Sequence, residues 1–314
     1  MTIILLVFGG ALGLGALYAW LLWRVGQAPA RESVAGEAYR IGACWVYRLP
    51  AASGRAHRTV VAMHGFLQSP AYFTRLYSDC VDTELILVGS GDYHPALAAD
   101  EEGDNGWAQA PAARLGTIAY DAEVLAQAMA HLAGGETVWV HGHSRGGAVV
   151  VEAARQQPAS FHDKHFILEA PVLPLGNLFR PLPRGTVALV PCLLPAWRRD
   201  PMNARVRPVL GRLRDERKQY LMAAMPFNPR RAVTVMRNLT DIHAWMRGAS
   251  PADLRTGRDC VVLITPQDRI LDPAAMERSA AQAGDAVRIQ TVRGVSHFIS
   301  LDRPSVILDY LDGS

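Results

Sequence analysis

Residues 137–156, TVWVHGHSRGGAVVVEAARQ, constrain this chain more than any other segment. An apolar, β-branched run that reads as a strand passes within a few residues into a run with helical apolar spacing. The join is Gly142-His143-Ser144-Arg145-Gly146. So abrupt a change of direction forces Ser144 into a crowded backbone conformation, and the flanking glycines let strand and helix pass closely. Residues 41–49, 59–63, 84–88, 165–168, 261–265 and 287–292 are further short apolar or β-branched runs, and residues 118–132, 148–156 and 273–283 carry helical spacing. Strands and helices in alternation predict an α/β architecture, a mostly parallel sheet covered by helices on both faces. The chain contains no internal repeat and no low-complexity tract, so a solenoid is excluded.

Composition narrows the function classes. With 314 residues, 50% of them hydrophobic, the chain can bury one large core and carry appendages. A net charge of +3 and the absence of zinc-finger, RRM or helix-turn-helix signatures argue against nucleic acid as a partner. Cys44, Cys80, Cys192 and Cys260 are scattered, with no CxxC pair and no disulfide framework, and Cys44 and Cys260 read as core residues. The acidic run 100–105 lacks EF-hand spacing and reads as a solvated loop. No metal and no cofactor is expected.

Three separated segments carry chemistry. Beside the Ser144 turn stand TVVAMHGFLQS, with His64-Gly65 after a strand, VVLITPQDRILDP, with Asp268 after another, and GVSHFISLDRP, with His297 near the end. A serine hydroxyl is a weak nucleophile at neutral pH and needs an imidazole to take its proton, and that imidazole needs a carboxylate to hold it. In these segments and their order Ser, Asp, His, the chain resembles the α/β-hydrolase superfamily of serine hydrolases from about Tyr39 to its C-terminus. The resemblance implies Ser144 as nucleophile, His297 as general base and Asp268 as acid, with the backbone N–H groups of Phe66 and Arg145 as oxyanion donors. Asp272 competes with Asp268 but reads as the N-cap of a helix starting at Pro273. His64, His141 and His143 read as packing or loop-holding residues. Since the oxyanion donors are backbone groups, replacing the Phe66 or Arg145 side chain is expected to do less harm than the roughly 3 kcal/mol that loss of a donor costs.

The two ends of the layout are distinctive. Residues 3–23 contain no charge and as a helix would span roughly 30 Å, enough to cross a bilayer core. Tyr18, Trp20 and Trp23 suit the interface, and Arg24 closes the span. A cleaved signal peptide is the alternative; the absence of a preceding Lys or Arg and the length of the run favour a retained anchor. The Gly9/Gly13 and Ala11/Gly15 pairs would let two such helices pack as a homodimer. Residues 24–38 read as a juxtamembrane linker, 39–170 with 251–314 as the hydrolase core, and 171–250 as an inserted helical lid. Residues 171–237 hold 13 Lys and Arg against 3 Asp and Glu, a net +10, so the rest of the chain is at −7. A basic and apolar surface suits an anionic membrane face.

Anchor, core and lid together are similar to bacterial single-span membrane-anchored lipases and lysophospholipases. The implied activity is carboxylic ester hydrolysis through an acyl-enzyme, on lipids such as lysophospholipid, phospholipid or monoacylglycerol. An acyltransferase or thioesterase on the same triad, or a membrane-tethered non-catalytic scaffold, are the alternatives. The implied location is the inner membrane, single-pass. Arg24 and Arg31 favour a cytoplasmic core, whereas the resemblance favours a periplasmic one.

Overall fold

The computed structural model describes residues 2–25, 33–91, 97–180 and 232–312. Its centre is a nine-stranded sheet in the order β5-β1-β2-β4-β3-β6-β7-β8-β9. The strands are Ser33–Ile41 (β1), Cys44–Leu49 (β2), Arg58–Met63 (β3), Thr83–Val88 (β4), Ala98–Glu102 (β5), Thr137–His143 (β6), His165–Glu169 (β7), Asp259–Ile264 (β8) and Val287–Thr291 (β9). β4, β3, β6, β7, β8 and β9 run parallel, and β2 alone opposes its neighbours β1 and β4.

Strand alternation divides the core in two. Val61 and Met63 of β3 face one layer with Ile86 and Val88 of β4, against the helices Ile118–Leu132 (α3), Arg145–Gln156 (α4) and Pro158–Phe161 (α5). Val60 and Ala62 face the other with Leu85 and Leu87. There the cover comes from Ala71–Thr74 (α2) and the C-terminal helices Ile299–Asp302 (α8) and Ser305–Asp312 (α9). Burial on both faces is why β3, β4 and β8 read as continuous apolar runs.

Helix starts follow local chemistry. Thr117 caps α3 by accepting from the N–H of Tyr120 at 3.2 Å. Asp272 caps Pro273–Gln282 (α7) by accepting from Ala274 N–H at 3.0 Å. The expected boundary near Tyr39 shifts: β1 begins at Ser33, inside the expected linker, and turns into β2 at Gly42 with φ 57°. The acidic run also differs, because Ala98–Glu102 forms an edge strand on β1 with mostly exposed side chains. Charged residues on an open edge discourage pairing with other chains.

Residues 181–231, most of the expected lid and of its basic stretch, lie outside the described residues. The end of that segment, Ala232–Gly248 (α6), is stitched to the core rather than standing apart. Val235, Leu239, Ile242 and Met246 are buried. Arg237 donates to the Leu115 carbonyl, Asn238 donates to Gly116 O at 3.0 Å, and Asp241 accepts from Ile118 N–H at 2.6 Å. Trp245 Nε1 donates to Glu152 at 3.1 Å.

The N-terminus forms one helix, Thr2–Val25 (α1), with side chains described over residues 9–20. Among the described residues no helix is long and apolar enough to cross a membrane, and of the expected span over residues 3–23 only 9–20 are among those whose side chains are described. The remainder of that span lies outside the residues whose side chains are described.

Candidate active site

The parallel strands deliver their C-terminal ends to one edge of the sheet, and every sequence-predicted site residue emerges there. At the end of β6, Ser144 adopts φ 54° and ψ −119°, a region L-residues avoid. Such strain, of order 1–3 kcal/mol, persists only where the surroundings over-determine it. Here Ser144 N–H donates to Glu169 O at 2.9 Å, and its carbonyl accepts from Val172 N–H at 2.8 Å and Gly147 N–H at 3.0 Å. A Cβ on Gly146 would run into the Met63 carbonyl, so α4 can leave the turn only with glycine at that position.

The expected acid and base meet directly. His297, in the loop after β9, has Nδ1 at 2.7 Å from Asp268 Oδ2, and both side chains are buried. The other carboxylate oxygen accepts from Ile270 N–H at 2.7 Å and Leu271 N–H at 3.0 Å. Burial alone would raise the Asp268 pKa, but the neighbouring His297 ring, its hydrogen bond and the two backbone N–H groups outweigh it and hold the carboxyl below its ordinary value. An ionised carboxylate only accepts, so the imidazole proton sits on Nδ1 and Nε2 keeps its lone pair. Among the described residues no hydrogen bond joins Ser144 Oγ to the His297 ring. Nucleophile–base contacts are commonly long before substrate arrives. Between the two segments stands His143, whose Nε2 lies 3.1 Å from the His297 carbonyl oxygen.

The oxyanion loop closes over the serine. A Cβ on Gly65 would stand 2.9 Å from Ser144 Cβ, so only glycine lets the loop come this near. Gly65 N–H donates to Gln68 Oε1 at 2.8 Å, and the same oxygen lies 2.8 Å from His143 Nδ1. His64 holds the loop from behind: Ser90 N–H donates to its Nε2 at 3.0 Å, which places the ring proton on Nδ1, donating to Gly65 O at 2.8 Å. Burial pushes the His64 pKa down to about 4, against smaller opposing effects, so the ring is neutral. Phe66 follows Gly65 and Arg145 follows Ser144, and these are the two expected backbone donors. Among the described residues no cluster of His, Cys, Asp and Glu could hold a metal ion.

The model of the serine aminopeptidase S33 family matches residues 99–304, which is most of the chain. The chain belongs to that family. The fold is shared with solved α/β-hydrolases. An esterase from Exiguobacterium antarcticum is 15% identical with TM-score 0.60, covering 88% of this chain and 98% of that one. The 2-hydroxy-6-oxo-6-phenylhexa-2,4-dienoate hydrolase from a Rhodococcus species is 16% identical with TM-score 0.60, covering 88% and 96%. A thermophilic esterase from Thermogutta terrifontis is 16% identical with TM-score 0.57, covering 86% and 92%. No curated protein sequence matches the chain. Family and fold together support a serine hydrolase of the esterase and lipase type.

This S33-family chain also holds site residues that the sequence does not single out. Arg145 is fully buried, and its guanidinium donates to Asp121 at 2.6 Å and to Ser90 Oγ at 3.1 Å. The Arg145 side chain therefore has a structural job beside its backbone N–H: removing it would strand the buried Asp121 carboxylate. At the end of β7, Glu169 is also fully buried. It accepts from Tyr72 OH at 2.8 Å, Ser300 N–H at 2.7 Å and His141 Nε2–H at 3.1 Å. The second His141 nitrogen then accepts from Tyr77 OH at 2.7 Å. Burial opposes ionisation of Glu169, but the neighbouring His143, the His141 bond and the Ser300 N–H prevail and hold its pKa down to about 2. An acid at the end of an otherwise apolar run, HFILE, was the only sequence signal pointing to it.

Proposed function

We propose that this protein is a membrane-anchored carboxylic ester hydrolase that cleaves lipid esters through an acyl-enzyme on Ser144. The observation that carries the reading is the Asp268–His297 pair at the same sheet edge as the strained Ser144. His297 Nε2 takes the Ser144 proton as the hydroxyl attacks the ester carbonyl, and the backbone N–H groups of Phe66 and Arg145 bind the oxyanion. The imidazolium, steadied by Asp268, then protonates the leaving alcohol. Water repeats the sequence to release the acid.

Lipid as substrate and the membrane as location rest on the N-terminal helix and on the basic stretch 171–237. Leu12 and Leu14 of α1 are 73% and 70% exposed within the stretch 3–23, which carries no charge, and such apolar side chains favour a bilayer. The +10 balance of residues 171–237 suits anionic headgroups.

The test uses full-length protein in detergent against p-nitrophenyl esters of rising chain length, monoacylglycerol, lysophospholipid and an amino-acid p-nitroanilide. Turnover of the long-chain esters, lost together with fluorophosphonate labelling in Ser144→Ala, is expected. Turnover of the anilide alone would replace the ester reading with a peptidase. Membrane-pellet retention through carbonate washes, lost when residues 1–24 are deleted, is expected of an anchor; release of the intact chain would remove it.

A further inference from the structure

We propose that Glu169 is a positioning residue that sets the base loop against the nucleophile, a role that rests on the catalytic reading of Ser144 and His297. The geometry assigns it because one residue grips both partners. Its backbone carbonyl accepts the N–H of Ser144 at 2.9 Å, and its carboxylate accepts the N–H of Ser300, three residues after His297, at 2.7 Å. Tyr72 makes the grip bidentate: its hydroxyl donates to Glu169 and accepts from Ser300 Oγ at 2.7 Å. Tyr72 in turn stacks on His143, ring centroids 4.6 Å apart, and His143 reaches both Gln68 of the oxyanion loop and the His297 carbonyl.

A carboxylate buried without a facing Arg or Lys is costly unless several donors satisfy it. A fold that needed only to close this space could have used an apolar side chain. The donors here come from three different segments: α2, β6 and the start of α8. Their common acceptor fixes where these segments stand relative to one another. The base loop is also tied by Thr265 Oγ1, which donates to Val295 O at 2.9 Å, and by Ser296 Oγ, which donates to Asp302 at 2.7 Å. The first ties the loop to the end of β8 and the second shapes it internally. Glu169 connects it to the strand beside the serine.

The test compares Glu169→Gln, Glu169→Ala and Tyr72→Phe in the full chain. The glutamine keeps an oxygen for Tyr72 and Ser300 and turns an amide toward His141, which can accept by changing tautomer. It should retain kcat within about tenfold on a short soluble ester. The alanine variant should lose 100-fold or more in kcat with KM changed less than threefold, and label proportionately more slowly with fluorophosphonate. Tyr72→Phe, a milder change expected to fold, should lose three- to tenfold in kcat at unchanged KM. Hydrogen exchange over residues 293–303 should quicken in the alanine variant and not in the glutamine one, a readout independent of turnover. The proposal is overturned if folded Glu169→Ala keeps wild-type kcat, or if the glutamine variant falls as far as the alanine one, or, should the alanine variant not fold, if Tyr72→Phe is indistinguishable from wild type. Failure of the catalytic reading is separate: it would appear as wild-type turnover in Ser144→Ala, with the exchange pattern at Glu169 unaffected.

Discussion

Asp268 and Asp272 stand one helical turn apart in the chain and serve different ends. The first faces the His297 ring, the second the N–H of Ala274. Asp268→Asn should lower kcat by about 10⁴, as expected when a triad acid no longer fixes the imidazole tautomer. Asp272→Asn should stay within about tenfold in kcat, and Asp272→Ala should cost about 1 kcal/mol of stability, the usual worth of a cap, at little change in kcat. Steady-state kinetics and urea unfolding of both variants check the pair. Arg145→Met should destabilise by about 3–5 kcal/mol because Asp121 is left charged and buried, and most of that loss should be recovered when Asp121→Leu is added. A double-mutant cycle in urea measures it, and additive losses would mean the two side chains are uncoupled. The convergence of Ser144, Asp268 and His297 on one sheet edge is legible in the sequence because each sits in a local motif. Gln68, Asp121 and Glu169 are not, because their partners are distant in the chain: Glu169 meets Tyr72 97 residues away and Ser300 131 residues away.

Helix α3 occupies residues 118–132 as its apolar spacing predicts, and the buried parallel strands are likewise where their apolar runs place them. The elements that spacing does not disclose lie at the sheet's open side. β1 mixes glycine with polar residues, and β5 is the sequence AADEE. Both exist through pairing with a neighbour, which no local propensity encodes. The crossing of α4 over β3 is the tightest contact between elements at the site. Gly146→Ala should therefore cost about 3 kcal/mol or prevent folding, as forced overpacking does, whereas Gly134→Ala, with open space around it, should fall within about 0.5 kcal/mol. Thermal melts of the two variants supply the comparison, and equal melting temperatures would contradict the crossing described.

Across the whole molecule the buried titratable groups set a pH window. Burial lowers His64 and His143 from an ordinary 6.5 to about 4, so both are neutral in the fold. Between those values the unfolded chain binds protons that the folded one refuses. Stability should therefore fall as pH drops below 6.5, by up to about 1.4 kcal/mol per pH unit for each ring. Glu169 acts lower: its pKa is depressed from 4.5 to about 2, so its contribution is full above pH 4.5 and lost as pH falls toward 2. Melting temperatures taken from pH 7.5 to 4 should decline progressively, and a flat profile to pH 4.5 would show that the histidines are protonated in the folded state.

The attachment of residues 171–250 has a practical corollary for building chimaeras. Asn177 O accepts from Asp272 N–H and Phe179 N–H donates to Ile270 O, both at 2.9 Å, so the first residues of the segment form a miniature ladder with the loop that bears Asp268. At the far end, α6 is bolted to α3 and α4. A donor segment spliced at positions 170 and 250 would tear out both seams and slacken the acid. Splicing after Arg180 and before Ala232 would leave both seams with the recipient, so residues 181–231 could be exchanged while the attachments at either end, and the loop that bears Asp268, are kept.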